Sequence, residues 1–381
     1  MKKIFFIAGE VSGDMYGASI INHLKIMDSG INIYGIGGEK MKESGLSPIF
    51  DISKLNFMGF FEVIKNIYTI KKLIDLTLEH IGKIEPDIIF YIDFSGFNQK
   101  IAEKVKIKYP KIKNIKFVSP QIWASRYGRI KKITKVFNSL IPILPFEKKI
   151  YKDYNPDFDC QYFGNPLKEQ LNLKFTKDQF IETFNLENYE KIISIFIGSR
   201  KQEILNHSRV IFDLLKRLEN RNYIFPMVKS SNLPQDLFKK FENLKNVIIV
   251  DSKYQWDFLS YSDFILSKSG TTVLQTVIAQ TPSLLFYKTS KLNYFIASKI
   301  MTIKYVGLPN IILDKPFIKE FLQEDFTVSN LIDEMDRVFN DRKYLKKFNE
   351  NIGEVNKLLG DEGVMERISR FLINNLKLKS N

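Results

Sequence analysis

Two short segments of this chain carry residue types suited to holding phosphate. The first is Phe196-Ile197-Gly198-Ser199-Arg200-Lys201-Gln202-Glu203-Ile204, and the second, further along, is Ser269-Gly270-Thr271-Thr272. Each follows a β-branched, apolar run that reads as a buried strand, and each opens a helical pattern. Small residues at such a junction place free backbone N–H groups at a helix N-terminus, where an anion binds. Arg200 adds a planar fork able to grip a diphosphate at two points. Together they predict a nucleotide-sugar leaving group rather than a redox dinucleotide, and the fingerprint G-x-G-x-x-G is absent.

Candidate acids stand earlier in the chain, again after strand-like runs. Glu10 lies in the loop Ala8-Gly9-Glu10-Val11-Ser12-Gly13-Asp14, where Ser12 or Asp14 reads as a helix cap and a cap does not require Glu10. Asp93 ends the apolar run Ile88–Ile92, the position where α/β enzymes put catalytic groups. A carboxylate there could deprotonate a sugar hydroxyl, and capping the next helix is the plainer role. The loop Phe117-Val118-Ser119-Pro120-Gln121-Ile122-Trp123-Ala124-Ser125-Arg126 mixes an aromatic with cations that could hold a sugar phosphate, although Trp123 suits a core equally well. Phe57-Met58-Gly59-Phe60-Phe61-Glu62-Val63-Ile64-Lys65 leads into Ile67, Ile70, Leu73 and Ile74 with Lys71 and Lys72 between. That pattern fits a helix resting on an anionic bilayer, and equally a helix packing on its own sheet.

These residues need elements to position them. Strand-like runs at Ile4–Ala8, Ile31–Ile36, Ile88–Ile92 and Ile115–Val118 alternate with helical patterns near 16–27, 56–78 and 101–108. The alternation restarts at Ile192–Ile197 and continues through Tyr223–Val228, Val247–Val250, Phe264–Leu266 and Ser283–Tyr287. Strands apolar on both faces call for parallel sheets covered by helices. The fold class expected is α/β, with two Rossmann-like doubly wound domains facing a cleft. The turn-rich passages Asn155-Pro156-Asp157 and Gly164-Asn165-Pro166 mark the linker. The expected domains are 1–165 for an acceptor, 166–345 for the nucleotide-sugar, and a helical segment 346–381 that could pack back on the first.

Composition excludes several classes. One cysteine, Cys160, permits no internal disulfide, and the three histidines show no ligand spacing. The apolar start at Met1–Ala8 is interrupted by Glu10 and Asp14, so it reads as a first strand rather than a signal peptide. No apolar run is long enough to span a bilayer. The net charge of +14 invites an anionic partner, and twelve Lys and Arg between Lys100 and Lys135 meet only Glu103. A compositional bias in the gene would produce the same excess.

Taken in order, Ala8–Asp14, Gly35-Ile36-Gly37-Gly38 with Met41, Met58-Gly59 with Glu62-Val63, Ile92-Asp93 with Phe97-Asn98, Val118-Ser119-Pro120 with Trp123-Ala124 and Arg126, Leu144-Pro145-Phe146-Glu147, Gly198-Ser199-Arg200 with Glu203, Ser269-Gly270-Thr271, and Leu308-Pro309-Asn310 with Gln323 resemble the lipid-A-disaccharide synthase family. The resemblance implies the glycosyltransferase B fold and inverting transfer of 2,3-diacylglucosamine from its UDP donor to 2,3-diacylglucosamine 1-phosphate, lipid X. It implies Asp93 and Glu10 as catalytic groups, and Ser12, Gly13, Met58, Asn98, Trp123 and Arg126 around the acceptor. For UDP it implies Arg200, Ser199, Ser269, Gly270, Thr271, Gln275 and Asn310. No metal, no cofactor and no nucleic acid are implied. The setting implied is cytoplasmic and peripheral, on the inner face of the inner membrane, with a homodimer as a candidate assembly. The chain departs from the family at Gln275, where a glutamate is usual, at Ile197 for proline, at Gly96 for a second acid and at Ser125 for a second tryptophan. An amide at 275 can still bond two ribose hydroxyls but without charge assistance. Two other readings remain: another UDP-sugar enzyme on this scaffold, such as a UDP-N-acetylglucosamine 2-epimerase, and a non-catalytic basic protein binding lipid or nucleic acid.

Overall fold

Five consecutive apolar residues, Ile88–Ile92, form a strand in which every residue is buried, as a sheet covered on both faces requires. The strand belongs to the first of two parallel sheets in the computed structural model of the chain, which describes residues 2–52 and 67–377. Two compact units divide the chain: Met1–Pro166 with Gly360–Asn381, and Leu167–Leu359.

The first unit's sheet is built from β1 (Lys3–Ala8), β2 (Asn32–Gly37), β3 (Ser47–Asp51), β4 (Ile88–Ile92), β5 (Lys113–Phe117), β6 (Ser139–Ile141) and β7 (Asp159–Cys160), in the spatial order β3-β2-β1-β4-β5-β6-β7. The order reverses between β1 and β4, where Ala8 sits opposite Ile92. Such a reversal opens a crevice at the carboxyl ends of the strands, and that is where ligands bind in these sheets. One face of the sheet buries Ile89 and Tyr91 with the helices Ile67–Ile84 and Ser95–Lys108. The other buries Ile88 and Phe90 under the helices Val11–Met27 and Val364–Lys377. The hydroxyl of Ser369, on the last helix, donates to the carbonyl of Ile20 at 3.2 Å.

The second unit repeats the plan with β8 (Lys191–Phe196), β9 (Tyr223–Lys229), β10 (Val247–Asp251), β11 (Phe264–Lys268), β12 (Ser283–Tyr287) and β13 (Glu320–Leu322), ordered β10-β9-β8-β11-β12-β13. Its reversal lies between β8 and β11, with Phe196 opposite Ser267. The chain is therefore α/β and doubly wound twice over.

Strands β3, β6, β7 and β13 do not announce themselves in the sequence. The last three are two or three residues long, too short to show a period, and β3 carries Pro48. The helical pattern expected over 56–78 appears as the helix Ile67–Ile84, and the remainder of that expectation, with Met58, Phe60 and Phe61, lies outside the described residues. Within this helix Leu73 and Ile74 are buried in the core and Ile70 packs against it, so these three of the residues offered to a bilayer are turned to the chain's own sheet. Asn155-Pro156-Asp157 falls inside the first unit, between the helix Glu147–Tyr154 and β7: turn chemistry marks a turn, and only the second passage coincides with the division at Pro166. The C-terminal segment is shared: the helix Arg342–Leu358 belongs to the second unit and Val364–Lys377 to the first.

Candidate active site

In the first unit, β1 and β4 deliver Glu10 and Asp93 to neighbouring loops at the reversal point. Glu10 is the N-cap of the helix Val11–Met27 and makes no side-chain cap bond. Its carboxyl is held above the usual carboxylate range by burial and then by the charge of Asp93. Proximity of two carboxylates favours keeping a proton on one of them. Gly13, buried on the same helix, packs where a Cβ would lie 3.3 Å from that of Ala8, so the helix can settle on the sheet. Ser12 is exposed at this helix start. Asp14 is not available to a ligand: its oxygens accept from the N–H groups of Gly38 at 2.7 Å, Met41 at 3.1 Å and Lys40 at 3.2 Å.

Asp93 and Phe94 both adopt left-handed backbone, with φ of 43° and 41°. That conformation costs energy in residues other than glycine and persists only where the surroundings enforce it. Three groups do so. The Asn98 amide donates to the carbonyls of Asp93 at 2.8 Å and Ile92 at 3.2 Å, and the Lys116 ammonium donates to the Asp93 carbonyl at 2.8 Å. The ring of Phe94 lies over Gly9, where a Cβ would come within 2.3 Å of it, so the loop after β1 can hold only glycine there. Lys116 is fully buried; burial lowers its ammonium to about 8, the charge of Asp93 acting upwards and that of Arg129 downwards. The sequence hides this residue among the cations of the basic run, and its one visible signal is its place between Ile115 and Phe117 in β5.

Trp123 is half-buried, and its indole N–H donates to Glu147 at 3.1 Å, while the other Glu147 oxygen accepts from Leu144 N–H at 3.1 Å. Burial raises the Glu147 carboxyl to about 7 against the pull of these bonds. Ser119 meets the Tyr151 hydroxyl at 3.0 Å, so Glu147 and Tyr151, one turn apart, anchor the loop that carries Trp123. Arg126 is exposed on that loop with φ of 56°.

In the second unit the two phosphate segments follow β8 and β11, neighbours at the reversal point, and border one cavity of about 210 Å³. Gly198, Ser199, Thr271 and Thr272 line it, joined by Ser230, Ser252, Gln255 and Lys268. The last four were not singled out from sequence; Ser230, Ser252 and Lys268 close or follow β9, β10 and β11, so the carboxyl-end rule was their signal. The two helix starts differ. At the first, Glu203 accepts from the N–H groups of Ser199 at 2.9 Å and Arg200 at 3.3 Å, so the expected free donors are already engaged. A glutamate reaching back to the residues before its helix is the capping arrangement that the sequence spacing encodes. At the second, the helix Thr271–Ile278 follows Gly270, whose φ is 149°, and carries no side-chain cap. Lys268 stands beside it, its ammonium 3.2 Å from Glu203. Gly270, Thr271 and Lys268 thus adjoin at this second helix start, with Ser269 half-buried next to them.

The remaining predicted residues are dispersed. Arg200 is largely exposed, its guanidinium 3.7 Å from Glu203. Gln275 is buried one turn into the helix and is not among the cavity's lining residues. Asn310 is fully buried and committed: its amide donates to Ile318 O at 2.7 Å and Glu320 at 2.8 Å and accepts from Ile318 N–H at 3.0 Å. His207, which carried no ligand spacing, joins Ile197 O at 2.8 Å to the Lys288 N–H at 3.1 Å and so fixes the strand end before Gly198. No cluster of three or more His, Cys, Asp or Glu suited to a metal occurs among the described residues.

A family model described as lipid-A-disaccharide synthetase matches residues 4–365. The chain belongs to that family. Among curated relatives, the lipid-A-disaccharide synthase of Rickettsia bellii is 35% identical over 376 residues, covering 97% of this chain and 96% of the relative. Solved structures share the fold at low identity. A UDP-GlcNAc 2-epimerase from Neisseria meningitidis superposes with a TM-score of 0.63 at 14% identity, covering all of both chains. The glycotransferase of kitacinnamycin superposes with a TM-score of 0.68 at 11% identity, covering 98% and 99%. The family thus has its scaffold in the glycosyltransferase B class, and its match spans both of the constellations described above.

Proposed function

We propose that the chain transfers 2,3-diacylglucosamine from UDP to lipid X, giving the β-1,6-linked disaccharide 1-phosphate and UDP. As a member of its family it is a glycosyltransferase. The acceptor's 6-hydroxyl oxygen attacks the anomeric carbon of the donor from the face opposite UDP. Asp93 takes the hydroxyl proton as the new carbon–oxygen bond forms, and the bond to the diphosphate breaks with its electron pair passing to UDP, inverting the centre. Glu10 stands close by, its carboxyl raised by burial and by the charge of Asp93, and shapes the field in which Asp93 works. Ser12, Gly13, Asn98, Trp123 and Arg126 are assigned to the acceptor's side, with Met58 outside the described residues. Ser199, Arg200, Ser269, Gly270, Thr271 and Gln275 are assigned to the UDP side, Lys268 joins them, and Asn310 supports that side from within the fold through Ile318 and Glu320. Arg200, held only loosely at 3.7 Å from Glu203, can turn its fork to the diphosphate.

The observation that carries this reading is the match over residues 4–365 in a chain whose β4 is followed by Asp93 on an enforced left-handed turn. Both substrates carry acyl chains, so the reading places the protein peripherally at the cytoplasmic face of the inner membrane, with a homodimer as its candidate assembly. No helix among the described residues is long and apolar enough to cross a membrane.

The test is to incubate the purified protein with acylated donor and lipid X, without divalent metal and with EDTA, and to look for the disaccharide phosphate by mass spectrometry. Asp93→Asn is expected to abolish product while UDP binding survives. Turnover of unacylated UDP-N-acetylglucosamine alone, as UDP release or epimer, would replace this reading with the epimerase one.

A further inference from the structure

The helix Lys291–Ile300 has no buried residue. Leu292, Phe295, Ile296 and Ile300 recur at the spacing of one helical face, the stripe that a helix of a globular protein turns to its core. Here they are 68%, 59%, 47% and 48% exposed, and Met301 beyond the helix end is 40% exposed. The stripe is bordered by one sign of charge: from Lys288 to Tyr305 the chain has four lysines and no acid. Lys299 lies within the apolar face with its ammonium 5.7 Å from the centre of the Phe295 ring. Lys304 reaches Asp314 only at 3.9 Å, both well exposed, a pairing that leaves its charge available.

We propose that this face of the second unit is the contact by which the protein rests on an anionic phospholipid surface. The proposal extends the reading above, in which both sugars are lipid-borne. An interfacial helix needs large apolar side chains on one face and lysines whose stems can lie along them with the ammonium raised to the headgroups. Lys299 over Phe295 has that disposition. Charge selects the occupant: two copies of the chain meeting through this face about a twofold axis would set lysines against lysines, whereas anionic headgroups attract every one of them. The stripe on the helix Ile67–Ile84, turned to the core at Leu73 and Ile74, leaves the second unit's helix as an apolar and basic face still presented to solvent.

The experiment is flotation of the intact chain with phosphatidylcholine vesicles, with and without phosphatidylglycerol, alongside a variant carrying Leu292→Ser, Phe295→Ser, Ile296→Ser and Ile300→Ser. Because none of the four is buried, circular dichroism and melting are expected to match the wild type. The wild type should float with the phosphatidylglycerol vesicles and release in high salt, and the variant should bind about tenfold more weakly or worse. Lys291→Glu with Lys299→Glu should reduce binding as well. In Phe295→Trp, brominated lipid should quench emission beyond what Trp123 and Trp256 give in the wild type. A wild type that does not float, a Ser variant that floats as well as wild type, or a variant that loses only self-association overturns the proposal. Transfer on detergent-dispersed substrates is read separately: vesicle binding lost with transfer kept leaves the enzymatic reading intact, and the converse sinks only that reading.

Discussion

The ammonium of Lys116 donates to the backbone carbonyl of Asp93 at 2.8 Å, from a side chain with almost no solvent exposure. A buried cation is costly, and a peptide carbonyl returns only part of that cost. Its effect here is to hold Asp93 in a backbone conformation that the residue would not choose. Lys116→Met keeps the length and removes the charge. Replacing a buried charge by an apolar side chain of similar volume is often neutral or stabilising, so melting should be unchanged or raised. Transfer should nevertheless fall by about tenfold to a hundredfold if Asp93 is the base proposed above, because a reacting group displaced by an ångström loses that much. Turnover measured beside melting, with the KM for donor unchanged, checks both halves. Equal losses in stability and rate would make the lysine merely structural.

Glu147 gives a pH signature. Its carboxyl is raised from 4.5 to about 7, so the folded chain binds this proton more tightly than the unfolded chain does. The stabilisation is fully present below pH 4.5 and is lost as pH rises through 7. At about 1.4 kcal/mol per pH unit the whole effect is on the order of 3–4 kcal/mol. Urea unfolding of wild type and Glu147→Gln between pH 4 and pH 8 should show this slope only in the wild type, with Trp123 emission as the local probe. Parallel slopes in the two proteins would remove Glu147 as the source.

Local signals were legible in the sequence where one segment carried them. Asp93 was readable because an acid at the end of a continuous apolar run has one natural place in a parallel sheet, and Gly270-Thr271 because a strand, a glycine and a helix start adjoin. Lys116 was not, since its partner lies 23 residues away and only the pairing of β4 with β5 brings them together. The commitment of Leu73 and Ile74 to the core was undecidable, because period 3.6 predicts an apolar face without saying what covers it. Glu203 is the instructive case. Its place three residues after Arg200 was visible as a motif, and the same spacing also specifies a cap that engages the N–H groups a phosphate would need.

That cap leads to a further test. Burial works to raise the Glu203 carboxyl, but bonds from Ser199 N–H and Lys268 outweigh it and the carboxyl sits below its usual range. Its stabilisation is therefore present above pH 4.5 and lost as pH falls below that value. Glu203→Ala should cost about 1–2 kcal/mol at pH 7 through the lost cap alone. The deficit should shrink on acidification. Denaturant midpoints at pH 7 and pH 4 decide this, and a deficit that stays the same in acid would mean that the lost packing, not the carboxylate, is responsible.

Asn310 separates architecture from nucleotide binding. Both amide hydrogens and the carbonyl oxygen are used on Ile318 and Glu320, and neither Asn310 nor Ile318 is appreciably exposed. Asn310→Ala leaves the N–H and carbonyl of Ile318 without these partners in a buried setting, a loss of about 2–4 kcal/mol if each unpaired group costs 1–2. The variant should unfold at lower urea in the absence of any nucleotide, and UDP should then restore stability by the same increment as in wild type, since that increment depends only on ligand concentration and affinity. A variant as stable as wild type that gains less from UDP would show the opposite: that the asparagine leaves Ile318 to meet the nucleotide, and that the loop it closes stands without it.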